Sequence, residues 1–186
     1  MAATPRAPGL FDEAVAQIFA LEGGFVSHPA DPGGATNFGI TQQTLARARQ
    51  CSVTVDDVRR LTRAEAATIY RRFYWDAVRG DELSPGLGLA MFDLAVNSGP
   101  ARAIRMLQGI LGCPADGRVG PQTLEMVRKT DVAQAIHRLT QVRLAFLAVL
   151  PTWPVFGRGW RKRVLAVERE ALRLASLSSP SLFKNG

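Results

Sequence analysis

The sequence predicts an all-α chain, mainly helical, with at most one short β-hairpin. Three observations predict it. Apolar residues recur at helical spacing along most of the length. Thr, Asp and Pro stand where helices would begin, and glycines where several would end. One segment, residues 23–40, breaks the pattern with glycines, prolines and polar residues. At 186 residues and 47% hydrophobic, the chain can bury one sizeable core or two small ones.

The elements follow in order. Residues 1–8, rich in Pro and Ala, are read as frayed. From Leu10, the spacing of Phe11, Val15, Ile18 and Phe19 makes an amphipathic helix, with Asp12 and Glu13 in its first turn, where helix-end amides favour them. Gly23 and Gly24 stop this helix and leave Glu22 in its last turn. That is a poor place for a carboxylate, because the carboxyl end of a helix is partially negative. Its presence there calls for a reason other than helix stability. Pro29, Pro32, Gly33 and Gly34 mark turns in the next segment, which is read as a loop with a short hairpin.

Thr41 caps a helix reading QQTLARAR, and Thr54 caps a short one carrying Asp56 and Asp57. Thr62-Arg63-Ala64-Glu65 reads as a capping box, opening a helix with Ala66, Ile69, Tyr70, Phe73 and Tyr74. Pro85-Gly86 opens the next, through Leu89, Phe92, Asp93 and Val96 to Asn97. Ser98-Gly99-Pro100 ends it and starts another, to Leu111. Asp116-Gly117 makes a tight turn, and Gly120-Pro121 leads into a helix up to Lys129. Asp131 begins a long helix with Ile136, Leu139, Val142 and Phe146, which Pro151 and Pro154 break. The last helix is expected from Trp160 to Leu177, its start basic with Arg158, Arg161, Lys162 and Arg163; Trp160, Arg158, Arg161 and Lys162 either touch an anionic wall or, as favoured here, pack and solvate that start. The tail SSPSLFKNG is read as loosely docked. A boundary near residue 98 divides the chain into regions 10–97 and 98–177, joined too tightly to be independent beads.

Composition narrows the function classes. The net charge of +7 favours anionic partners such as bacterial cell wall, without selecting one. The arginines are scattered instead of clustered on one docking face, which argues against a nucleic-acid binder. Cys51 and Cys113 lack CxxC spacing and are expected as free thiols; with two distant histidines they form no recognisable metal cluster, so no metal and no cofactor is expected. No apolar run reaches transmembrane length and the amino terminus has no signal-peptide core. A monomer made in the cytoplasm is expected, with no stable membrane insertion; if it works elsewhere, something else must export or release it.

The chemistry centres on EGGFVSHPADPGGATNFGIT, residues 22–41. Glu22 ends an apolar helix, and Asp31 precedes a Pro-Gly-Gly turn able to return it toward Glu22. Two facing carboxylates suit glycoside hydrolysis, one protonated as general acid, the other directing water or stabilising positive charge on the sugar. The bland alternative is a solvated Glu22 and a turn-forming Asp31. His28, in the same segment, is read as a turn residue.

This segment resembles the signature of glycoside hydrolase family 108, a group of bacterial and phage N-acetylmuramidases. FDLAVNSG at 92–99 and RRFYWD at 71–76 resemble that family as well. DGRVGPQT at 116–123 and GRGWRKRV at 157–164 resemble the peptidoglycan-binding region usually fused to it. The resemblance implies a lysozyme-like catalytic region at 10–97, a peptidoglycan-binding-like region at 98–177, and endolysin-type cleavage of the β-1,4 bond between N-acetylmuramic acid and N-acetylglucosamine. It implies Glu22 as catalytic acid. Phage-type lysozymes, similar more distantly, add Asp31 and Thr36, although Thr36 follows Asp31 by four intervening residues instead of five, which leaves Asn37 or Thr41 to take its role. Asn37, Thr41, Tyr70, Trp75 and Asn97 are the candidate substrate contacts. A non-catalytic wall-binding or secretion-accessory protein is the alternative, and peptidoglycan glycan strands are the expected partner in either case.

Overall fold

The computed structural model describes residues 9–27 and 34–178. Residues 1–8, the segment holding His28 and Asp31, and the tail beyond Ser178 lie outside them. The chain is predominantly helical, as expected, with one two-stranded hairpin among the described residues. It forms two compact units, Met1–Phe73 and Tyr74–Gly186.

The first unit opens with α1, Leu10–Leu21, which buries Ala14, Val15 and Ile18. The hairpin follows: β1, Thr36–Asn37, pairs antiparallel with β2, Ile40–Thr41. Its two-residue loop, Phe38-Gly39, has positive φ at both positions, 50° and 75°, the backbone that matches the right-handed twist of the strands. Val26 extends the hairpin by bridging to Thr36, with N–H···O bonds of 2.8 Å in both directions. Three short helices complete the unit: α2, Gln42–Arg49; α3, Val55–Arg59; and α4, Arg63–Tyr70. Thr41, Thr54 and Thr62 cap them, each accepting from a backbone amide three residues on. The capping box expected at Thr62 forms only in half. Glu65 donates its backbone amide to the Thr62 hydroxyl, but its carboxylate is held by the Arg49 guanidinium at 2.9 and 3.0 Å. A charge-assisted bidentate pair outcompetes a single bond to an amide. From Arg71 to Trp75 the chain continues as a π-helical turn.

The second unit is built on α5, Pro85–Ser98, buried on all sides from Gly86 to Ala95. It packs against α6, Pro100–Leu111; α8, Val132–Ala148; and α9, Trp153–Ser178. The short α7, Pro121–Lys129, packs on α6. Leu87, Met91, Leu94, Leu107, Ile136 and Leu139 share one core. Gly86 permits the close approach of α5 to α9, since a Cβ there would overlap the Ala171 carbonyl. Gly99 caps the junction between α5 and α6, and both helices contribute to this same core. Helix α9 begins at Trp153, earlier than Trp160, because Pro154 falls in its first turn, where a missing N–H breaks no helical bond.

Two polar arrangements stiffen this unit. Asp93, fully buried, accepts from Arg143 at 2.6 Å and from Arg163 Nε at 3.0 Å, with Arg163 Nη2 ion-paired at 2.8 Å, linking α5 to α8 and α9. Gln108, also buried, explains the DGRVGPQT string. Its Nε2 donates to Asp116 Oδ1, the Arg118 carbonyl and Thr123 Oγ1, and its Oε1 accepts from the Gly117 amide. The Gln108 amide, helped by the Arg118 N–H, holds the Asp116 carboxyl below its ordinary range. Asp116 and Gly117 thus stabilise a turn, as expected.

Candidate active site

Glu22 is the residue that caps α1 at its carboxyl end, in extended backbone, half-buried. Its amide completes the helix by donating to the Ile18 carbonyl at 2.9 Å. The two glycines after it are exposed, and among the described residues nothing lies within 4 Å of where a Cβ would stand on either.

One side of Glu22 is closed by the hairpin. Gly39, in the loop between β1 and β2, faces the carboxylate so closely that a Cβ there would lie 2.9 Å from Glu22 Cδ and Oε2, and 2.5 Å from Tyr70 Oη. Carboxylate, glycine and phenol thus meet at one point. The Tyr70 hydroxyl donates to the Phe38 carbonyl at 2.9 Å, fixing the loop that carries Gly39. Phe19, one helical turn before Glu22, meets the rings of Phe38 and Tyr70 edge to face, each at 5.8 Å. Arg63 covers the Phe19 ring at 4.7 Å. Such pairs contribute about 0.5–1.5 kcal/mol each beyond their buried area. A bulky residue at positive φ, as Phe38 is, carries backbone strain on the order of 1–3 kcal/mol. The ring contacts and the Tyr70 bond oppose that strain and hold the loop against Glu22.

The remaining candidates separate. Thr36 lies in β1, half-buried, its backbone locked to Val26 on the chain leaving Glu22. Asp31 lies outside the described residues. Asn37 is buried, and its amide donates to the carbonyls of Val58 and Arg59 at 3.1 and 3.2 Å, tying the hairpin to α3. Thr41 caps α2, its hydroxyl accepting from the Thr44 amide and bonded to the Thr44 hydroxyl. Tyr70 and Trp75 do not present their rings to a groove: they are 0% and 1% exposed. Trp75 packs on Gly80 and edge-on to Phe92, and its indole N–H donates to Asp81 at 2.9 Å. Asn97 is exposed at the end of α5, in the second unit, its side chain accepting from the Ser98 hydroxyl at 3.2 Å. Asn37, Thr41 and Tyr70 thus hold the fold around the loop in this structure, and Trp75 packs inside the second unit. Gly39 and the Phe19–Phe38 pair were not among the candidates; the one signal in the sequence was a glycine inside a hairpin motif.

Among the described residues no group of His, Cys, Asp and Glu side chains is arranged to hold a metal. Both cysteines are free thiols. No helix among these residues is long and apolar enough to cross a membrane.

The sequence profile described as glycosyl hydrolase 108 matches residues 15–99, from α1 to the cap after α5. Among solved structures the chain is similar to SagA of Brucella abortus, at 44% identity and a TM-score of 0.85, over 92% of this chain and 98% of that one. No curated protein matches the sequence.

Proposed function

The chain belongs to the glycosyl hydrolase 108 family, a muramidase-type glycoside hydrolase acting on peptidoglycan, and from that premise we propose that Glu22 is its general acid. The observation that carries the proposal is the setting of the carboxylate. It caps a helix at the electrostatically unfavourable end and faces Gly39, where Tyr70 Oη meets the same glycine. A carboxyl held in one place is what proton delivery requires.

Glu22 gives its proton to the oxygen of the β-1,4 bond as that oxygen leaves the anomeric carbon of N-acetylmuramic acid. Water then forms the new bond to that carbon, and Asp31 takes the proton water loses, with Thr36 holding the water. The Tyr70–Phe38 bond acts through Gly39, as a positioning device for the acid. The 98–177 region adds affinity for the wall, and the basic surface draws the enzyme to the polyanion. The protein works as a monomer and reaches the wall through a holin, a transporter or lysis.

Digestion of purified peptidoglycan tests the reaction class. New reducing ends on N-acetylmuramic acid are the expected products. Reducing ends on N-acetylglucosamine, or new free amines in their place, would move the cleavage to another bond.

A further inference from the structure

The start of α9 carries a surface that neither the core nor the chemistry at Glu22 uses. Val149, 78% exposed at the end of α8, and Val155 and Phe156, 74% and 52% exposed in the first turns of α9, flank the exposed Pro151 and Pro154 in the sequence. Beneath them an aromatic lattice is already built. Phe156 stacks on Trp160 at 5.8 Å, Trp153 meets Trp160 at 6.3 Å, and Trp153 folds over the buried Gly157. Arg158, Arg161 and Lys162 follow, exposed and without a carboxylate partner among the described residues. By helical spacing Val155, Arg158 and Lys162 lie on one stripe. The chain holds no Asp or Glu from Val132 to Val167, so no acid on α8 or early α9 offsets these cations.

We infer that this face is a peripheral docking surface for an anionic lipid bilayer. Charge complementarity and side-chain type both point there. Exposed aliphatic valines beside a half-exposed phenylalanine suit the boundary between headgroups and acyl chains, and the Trp160 ring, the larger sugar-stacking face, is already stacked by Phe156. The basic collar lies where phosphate headgroups would meet it. The surface sits on the helix instead of spanning the bilayer, in keeping with the absence of a membrane-crossing helix among the described residues.

Sedimentation of the full chain with vesicles tests this, and reads partition instead of hydrolysis, so its outcome is independent of Glu22. Vesicles with about one-third phosphatidylglycerol should bind the protein at low salt, and pure phosphatidylcholine vesicles far less. The triple substitution R158Q/R161Q/K162Q should weaken binding by roughly 100-fold. Val155→Ser, at a position that supports little of the fold, should weaken it by several-fold, and V155S/F156S by at least about tenfold. Binding to neither vesicle, equal binding to both, or undiminished binding by the triple variant would overturn the inference. So would self-association through this face, or adsorption to wall sacculi that these substitutions abolish while vesicles are ignored.

Discussion

Gly39 has two reasons to be glycine, and they act together. Its φ of 75° strains any residue with a Cβ, and the space a Cβ would need belongs to Tyr70 Oη and the Glu22 carboxyl. Gly39→Ala should therefore cost about 1–3 kcal/mol in stability and displace the carboxylate, lowering lytic activity by at least roughly tenfold while the chain stays folded. Thermal melting and turbidity clearing measure the two effects separately; full activity in a folded variant would show that the contact does not set the position of the acid. The sequence made Glu22 conspicuous through its helix-end location and its glycine neighbours. It could not expose the contact with Gly39, because that contact closes across seventeen positions and depends on the hairpin loop geometry.

Helices carry most of what local sequence can state. The caps at Thr41, Thr54 and Thr62 form as their side chains dictate. Reading failed where a distant partner intervened. Glu65 deserts its box for Arg49, and Tyr70 and Trp75 carry the same polar-tipped rings whether they face a sugar or, as here, a core. Asp93 is the sharpest case. On its helix it reads as one polar residue on an apolar face, yet its charge is neutralised by two arginines 50 and 70 residues away. Asp93→Ala would leave those cations facing a buried void, and should destabilise the chain by about 3–5 kcal/mol, a fall in melting temperature on the order of 10 °C. An unchanged melting temperature would mean that the arginines find other partners or water.

Across the whole molecule, the two units divide the work unevenly in what they show. The first holds the proposed acid in a small frame of α1, hairpin and α4. The second has the larger shared core around α5 and carries the exposed cations Arg158, Arg161 and Lys162 at the start of α9. The family profile runs through both, from Val15 to Gly99, so the chemistry is inherited with a scaffold that crosses the boundary at residue 73. The account as a whole stands on one proton donor. Its most direct test is the rate at which reducing ends appear when purified peptidoglycan is treated with the wild type and with Glu22→Gln, both checked for equal melting temperature. The variant should lose at least roughly a hundredfold and up to about ten-thousandfold in rate; a folded Glu22→Gln protein that releases reducing ends as fast as the wild type would contradict it.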